Sequence, residues 1–137
     1  MAFNRLWRNR DIKLVILDSS AILMCFEFSI DIDNEILSLI GKCHITVPKP
    51  IYNEIKILST QGKGKKKRFA KASLELIRKK YDIIDIFIDK SGDDAVIQYA
   101  KNLHAIVVTN DKELRKNLKN ESIQVVYLRG KQKLFFE

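Results

Sequence analysis

Five short apolar runs rich in β-branched residues, separated by segments with helical spacing, constrain the fold of this chain most strongly. The runs cover residues 13–17, 44–47, 83–88, 105–109 and 123–128. Runs of this length predict strands, and strands that alternate with helices predict a parallel sheet covered on both faces. We therefore expect an α/β protein with three layers, α/β/α, around a central five-stranded, mainly parallel sheet.

The segments between these runs carry the helical signals. Proline is favoured near helix starts, so Pro48 and Pro50 predict a helix that begins there. Apolar residues at helical spacing predict three more helices, around Phe69, Ala72, Leu76 and Ile77, around Val96, Ala100 and Leu103, and around Leu114 and Leu118. Because 137 residues suffice for one well-buried domain, we place it at 13–130, after an N-terminal basic arm at 1–12 and before a C-terminal tail at 131–137.

The segment QGKGKKKR, residues 61–68, interrupts the pattern with glycines and a run of cations. Such composition predicts a mobile, solvated basic loop inside the domain. Its cations could contact the phosphates of a nucleic acid, or the segment could be a charged connector without a ligand. The cations concerned are Lys63, Lys65, Lys66, Lys67 and Arg68.

The overall charge and the cysteine content restrict the setting in which the chain works. It has 25 Lys and Arg against 17 Asp and Glu, a net charge of +8 that attracts polyanions. No apolar run approaches the roughly 20 residues of a membrane span, and the first residues lack the apolar core of a signal peptide. Cys25 and Cys43 form no C-x-x-C pair. We expect reduced thiols, a cytoplasmic location and no membrane partner.

Four acids fall where the strand and helix pattern brings side chains to one edge of the sheet. Asp18 follows the run KLVIL directly, and Asp111 comes two residues after the run that ends at Thr109. Glu54 lies in the first turns of the helix opened by the prolines, and Asp94 lies near the start of the helix in SGDDAVIQYAKNL. Ligands bind at the carboxyl edge of parallel strands, so all four acids are predicted to face one crevice there.

Each acid alone could be a simple helix cap or a helix-start charge. Four carboxylates within a few ångströms, however, repel one another by roughly several kcal/mol per close pair unless a cation lies among them. Hard oxygen donors favour Mg²⁺ or Mn²⁺, whereas His44 and His104 have no metal-ligand spacing. The acids therefore predict a divalent-metal site.

Three ordered motifs resemble those of the PIN-domain nucleases: VILDSSAIL, then VPKPIYNEI, then SGDDAVIQYAKNLHAIVVTND. The resemblance extends over about 13–130 and implies a PIN-like fold. It carries Asp18, Glu54, Asp94 and Asp111 over as catalytic, metal-binding acids. The polar neighbours that it implies as supporting residues are Ser20, Thr109 and Asn110.

Asp93 and Asp94 are both candidates for the third metal-binding acid, after Asp18 and Glu54. Consecutive helical residues point about 100° apart, so they cannot both face one ion with equal ease. Ala95 and Ile97 follow Asp94 as in the D-A-x-I pattern of the family. We therefore expect Asp94 to bind the metal and Asp93 to be a helix-start charge.

The resemblance implies a metal-dependent endoribonuclease, a hydrolase that cuts single-stranded RNA and leaves a 5′-phosphate and a 3′-hydroxyl. The loop at 61–68 and the ending VVYLRGKQKLF resemble most the archaeal and eukaryotic branch related to pre-rRNA processing, with pre-rRNA or ribosome precursors as partners. Lys112, Arg115 and Arg129 are further candidates for RNA binding.

Two alternatives to this function stay open at this point. VapC-type toxins share the four acids, which would add an antitoxin as partner. The chain could also be a catalytically silent RNA-binding factor in ribosome assembly. Because members of the family often dimerise, a homodimer is compatible with either.

Overall fold

The computed structural model describes residues 12–90 and 92–137. The predicted basic arm at 1–12 lies outside them, apart from Ile12, as does Ser91. The described residues form six strands and six helices. In chain order they are β1 Lys13–Leu17, α1 Ser19–Glu27, α2 Ile32–Ile40, β2 Cys43–Pro48, α3 Lys49–Gln61, α4 Gly64–Lys80, β3 Asp82–Ile84, α5 Gly92–Leu103, β4 Ile106–Val108, α6 Lys112–Asn120, β5 Val125–Arg129 and β6 Lys133–Phe136.

All of the strands join one sheet in the order β3-β2-β1-β4-β5-β6. The first five in sequence run parallel to their neighbours, and only β6 is antiparallel. The chain moves from β1 to one side through β2 and β3, and then returns to the other side of β1 at β4. The strand order therefore reverses between β1 and β4, and a crevice outside the carboxyl ends of these strands is the expected ligand site.

The predicted α/β fold and its mainly parallel sheet are confirmed, and each of the five apolar runs contains a strand. Val15, Ile16 and Leu17 of the central strand β1 are fully buried, as expected for a strand covered on both faces. The run at 83–88 is a correction, because β3 ends at Ile84. The backbone at Phe87 takes a positive φ of 57°, which an extended strand cannot accommodate.

The predicted C-terminal tail at 131–137 is also corrected, since it forms the sixth strand. Gly130 and Lys131 both have φ near +60°, and the Gln132 N–H donates to the Arg129 carbonyl at 3.3 Å. This is the geometry of a tight hairpin turn with two left-handed residues, for which glycine is well suited. The hairpin brings Leu134 into the core, where it is 1% exposed.

The predicted basic loop at 61–68 is the third correction. Helix α4 begins at Gly64, so only Gly62 and Lys63 separate it from α3. Lysine and arginine are good helix formers, and the apolar side of α4 is buried at Ala70, Leu74 and Ile77. The tertiary packing of this face extends the helix through the basic segment.

The four predicted helices are present, but α1 and α2 were not predicted. Both are short and both begin at an aspartate cap, where Asp18 accepts from the Ala21 N–H and Asp31 from the Asn34 N–H. Within 12–90 and 92–137, no helix combines the length and the apolar character that a membrane crossing requires.

Candidate active site

Asp18 lies at the reversal point of the sheet, at the carboxyl end of the central strand. Its N–H donates to the Val108 carbonyl at 3.3 Å, which continues the pairing of β1 with β4 by one residue. The chain then turns into α1, and the Asp18 carboxylate caps that helix by accepting from the Ala21 N–H at 2.8 Å. The side chain is only 4% exposed. The sequence thus places a carboxylate at a buried corner between two strands and a helix.

Two hydroxyl groups complete the surroundings of this carboxylate. Thr109 Oγ1 donates to Oδ2 of Asp18 at 2.5 Å, and Ser20 Oγ donates to Oδ1 at 2.8 Å. Each hydroxyl has a single proton, so the 3.2 Å contact between Ser20 Oγ and Thr109 Oγ1 adds no third bond. Two of the three predicted supporting residues, Ser20 and Thr109, therefore hold Asp18 in one orientation.

Burial dominates the ionisation of Asp18. Removal of the carboxyl from water raises its pKa to about 6, although the hydrogen bonds from Thr109, Ala21 and Ser20 act in the opposite direction. The negative charge of Asp111 raises it further. Without a nearby cation, a minor fraction of this carboxyl therefore stays protonated at neutral pH.

The turn after β4 positions Asn110 and Asp111. The Asp111 N–H donates to Thr109 Oγ1 at 3.1 Å, and the Asn110 N–H donates to Ser20 Oγ at 3.0 Å. Asn110 Oδ1 accepts from the Leu128 N–H at 2.8 Å and so ties the turn to β5. Asp111 then caps α6 by accepting from the Leu114 N–H at 3.0 Å. Its side chain is exposed at the edge that Asp18 occupies.

Glu54 reaches the same edge from α3, which starts directly where β2 ends. Ser19 Oγ donates to Glu54 Oε1 at 3.3 Å, so the glutamate lies next to the first residue of α1. Ser19 was not identified from the sequence; its position directly after Asp18 is the one signal that could have pointed to it. The other polar groups on Glu54 face solvent, since the residue is exposed.

Asp93 is the more buried of the two adjacent aspartates. Burial raises the pKa of Asp93, and the charges of Asp111, Glu113 and Glu54 raise it further. Asp94 is exposed. This differs from the expectation based on the D-A-x-I pattern.

Helical spacing explains the orientation of the two aspartates. Asp93 precedes Val96 by three positions and Ala100 by seven, and both of those residues are buried. Residues at these spacings share one face of a helix, so Asp93 lies beside the buried stripe while Asp94 points away from it. This signal was present in the sequence.

The donor set fits a hard divalent cation. Asp18, Glu54, Asp93 and Asp111 offer oxygen atoms only, and the charges of neighbouring acids raise the pKa of Asp18 and of Asp93. A cation among them would remove this repulsion. In the part of the chain that the structure describes, no three acidic, histidine or cysteine side chains stand close enough to share one ion. The acids are therefore an open group of donors rather than a closed coordination shell.

Glu113 is a further acid of this group that was not identified from the sequence. It lies in the first turn of α6, and its charge contributes to the raised pKa of Asp93. Its position two residues after Asp111 puts it near the same sheet edge.

The residues predicted to bind RNA are spread over three elements. Lys65 and Arg68 are exposed in the first turns of α4, with Lys63, Lys66 and the partly buried Lys67 beside them. Successive residues of a helix turn by about 100°, so these cations point in different directions around α4.

The cations near the C-terminus differ in how much they are already bound. The Arg115 guanidinium donates to both carboxylate oxygens of Glu137, at 2.9 and 3.3 Å, and lies 3.9 Å from the centre of the Tyr127 ring. Arg115 is thus held in a packed position. Lys112 and Arg129 are exposed, with the Arg129 guanidinium 5.0 Å from the centre of the Phe135 ring.

Comparisons with known proteins agree with this fold. A family model described as "PIN like domain" matches residues 15–131. The chain is 35% identical to "Ribonuclease VapC4" of Methanocaldococcus jannaschii, over 90% of this chain and 94% of that protein. It is 24% identical to "Ribonuclease VapC9" of Archaeoglobus fulgidus, over 95% and 93%. The solved structure of "the PIN domain endonuclease Utp24" superposes with a TM-score of 0.76 at 19% identity, over 90% of each chain.

Proposed function

Because the chain belongs to the PIN-like domain family, we propose that it is a divalent-metal-dependent endoribonuclease that hydrolyses phosphodiester bonds in single-stranded RNA. The observation that carries this proposal is the grouping of Asp18, Glu54, Asp93 and Asp111 at the sheet edge where the strand order reverses. Curated relatives named as ribonucleases support RNA as the substrate.

In this proposal the carboxylates of these four acids hold Mg²⁺ or Mn²⁺. When bound, such an ion lowers the pKa of water and offsets charge on the phosphate that is cut. Ser20 and Thr109 fix the orientation of Asp18, and Ser19 steadies Glu54, so the donors need little reorganisation. Asp93 takes the third position and Asp94 stays in solvent.

The reaction is hydrolysis by water. A water oxygen bonds to phosphorus, the bond from phosphorus to the 3′ oxygen breaks, and that oxygen takes up a proton from solvent. The products are a 5′-phosphate and a 3′-hydroxyl. Within the described residues neither histidine lies among the site acids, since His44 pairs with Asp82 on β3 and His104 follows α5 at the other end. The proposed mechanism therefore uses no histidine as a base.

A toxin-type role is the second candidate, because the relative at 35% identity carries the VapC name over nearly its whole length. In that role the partner would be an antitoxin. A role in pre-rRNA processing is supported here by the resemblance of sequence motifs. Induced expression in a bacterial host separates the two, since a toxin arrests growth and its Asp18→Asn variant does not.

Cleavage of a labelled single-stranded RNA in Mn²⁺, in Mg²⁺ and in EDTA tests the proposed activity. We expect the wild type to cut in either metal and not in EDTA. Asp18→Asn should bind the RNA but lose cutting by at least 100-fold, a loss typical of removing an essential catalytic group. Binding without cutting in every metal would instead support the silent RNA-binding factor.

A further inference from the structure

Phe87 is the most unusual exposed side chain of the described residues. Its ring is 90% exposed, and its backbone has a φ of 57°, a left-handed conformation that bulky residues rarely adopt. Single exposed apolar residues are common on protein surfaces. An exposed aromatic ring on a backbone of this conformation is much rarer.

The surrounding segment holds this ring in place. The Phe87 N–H donates to Asp85 Oδ1 at 2.8 Å, and the Ile86 N–H donates to the Tyr99 hydroxyl at 3.2 Å. Ile86 and Ile88 pack against the core on either side. The chain is thus fixed before and after Phe87, and the ring is presented outward by a braced turn.

A cavity of about 650 Å³ lies next to this turn, between α3 and the segment that leads to α5. Asp85 and Ile88, which flank Phe87 in sequence, both line it, and so does the site acid Glu54. Its volume falls within the range of roughly 300–1,000 Å³ typical of sites for small ligands. The cavity therefore reaches from the segment that carries Phe87 to the site acid Glu54.

We propose that this cavity, which we call the Phe87 cleft, binds an unpaired nucleotide next to the scissile phosphate, with the Phe87 ring stacking on its base. The proposal rests on the proposed function, since it assigns part of the substrate path. Lys49 and Lys90 line the cleft and supply positive charge for the phosphate. Asn53, also in the lining, offers an amide donor and acceptor.

The charges favour RNA over a protein partner as the occupant. A lysine lines the cleft from each side, Lys49 from α3 and Lys90 from the segment before α5, together with the acids Glu54 and Asp85. The whole chain carries a net charge of +8. Proteins that bind single strands combine basic side chains, which contact the backbone, with aromatic rings on which bases stack. The ring at Phe87 and the adjacent exposed Ile57 supply the apolar contact.

Binding of labelled single-stranded RNA in EDTA, where no cutting occurs, tests this site. We expect Phe87→Ala and Phe87→Leu to weaken binding roughly 5- to 100-fold, the range that corresponds to loss of one stacked base. Phe87→Tyr, which keeps the ring, should bind like the wild type. Leu37→Ala is the matched control, because Leu37 is another exposed apolar residue, 59% exposed, on α2 outside the cleft.

A scan with abasic nucleotides separates stacking from other causes. At one position of the RNA, removal of the base should weaken wild-type binding and abolish the difference between wild type and Phe87→Ala. Equal binding by Phe87→Ala and wild type would overturn the proposal, as would a loss that is the same for intact RNA and for RNA without bases.

Light scattering on the same samples tests the protein alternative. If Phe87→Ala changes self-association and leaves RNA binding intact, the ring is a contact between protein chains and the proposal is wrong. If the wild type neither binds nor cuts RNA, the proposed function fails and this inference fails with it. If the wild type cuts RNA and Phe87→Ala cuts and binds equally well, only this inference fails.

Discussion

At the scale of single residues, Asp18 links stability to pH. Its pKa rises from 3.8 to about 6 on folding, so the folded state binds the proton more tightly than the unfolded state. The contribution of Asp18 to the free energy of unfolding is therefore complete below pH 3.8 and is lost as the pH rises through about 6. This shift corresponds to about 3 kcal/mol.

Asp18→Asn should remove this dependence, because asparagine also caps helices but does not ionise. Urea unfolding in EDTA should show the variant more stable than the wild type at pH 7.5 and nearly equal to it at pH 4. Mn²⁺ at pH 7.5 should stabilise the wild type and not the variant. A difference between the two proteins that is the same at both pH values would contradict the assigned ionisation.

Asp93 and Asp94 give a matched pair for the third site acid. Because Asp93 lies among the charges of Asp111, Glu113 and Glu54, Asp93→Asn should weaken Mn²⁺ binding by at least 10-fold. Asp94→Asn, which removes the same charge from the neighbouring exposed position, should change it less than about two-fold. Titration calorimetry measures both, and a larger loss in Asp94→Asn would restore the expectation from the D-A-x-I pattern.

Sequence reasoning located Asp18 and Asp111 correctly at the sheet edge because each follows a strand, and strand ends are visible in the apolar pattern. It favoured Asp94 over Asp93 on the D-A-x-I pattern, whereas the direction of each side chain depends on the rotation of α5 and so on which of its residues are buried. Val96, Tyr99, Ala100 and Leu103 are buried and set that rotation.

At the scale of elements, α4 is where composition and structure differ most. A loop rich in lysine could adapt so that all of its cations meet phosphates, whereas a helix fixes their directions. Cations in the first turn also lie next to the positive end of the helix dipole, which is unfavourable in the absence of an anion. Bound phosphate would relieve this repulsion.

Lys65 and Arg68 are three residues apart on α4 and share one face of the helix. If both contact phosphates of single-stranded RNA, the double variant Lys65→Gln with Arg68→Gln should reduce the salt slope of binding by about 1.4. The control removes two other exposed cations, Lys42 and Lys79, and should leave the slope unchanged. The measurement is RNA binding between 50 and 200 mM salt, about the range in which such slopes are resolved. Equal slopes for the wild type and both variants would show that this face of α4 does not contact the RNA phosphates.

Strands β1 to β5 could be predicted because each overlaps an apolar run rich in β-branched residues, whereas β6 could not. In β6 only Leu134 is buried, so four residues show no clear alternation. Its place depends on the hairpin turn at Gly130 and Lys131, and on the Leu134 N–H, which donates to Glu35 Oε1 of α2 at 3.1 Å. Such contacts between distant parts of the chain are not visible in local sequence.

At the scale of the whole molecule, the strand order determines where chemistry can take place. Reversal between β1 and β4 opens one edge of the sheet. Helices α1, α5 and α6 begin at that edge with an acid in or before their first turns, and α3 carries Glu54 in its second turn. The net charge of +8 surrounds this acidic group with a field that attracts polyanions. The fold thus concentrates negative charge within a positive surface.

In the proposed mechanism, water attacks the phosphorus at a site formed by carboxylates, and the 2′-hydroxyl of the substrate takes no part. The most direct test is cleavage of two labelled RNAs that are identical except for one 2′-deoxynucleotide at the mapped cleavage position. We predict that both RNAs are cut in Mn²⁺ at similar rates and that both leave a 3′-hydroxyl. A resistant deoxy substrate, or a 2′,3′-cyclic phosphate on the ribose substrate, would contradict it.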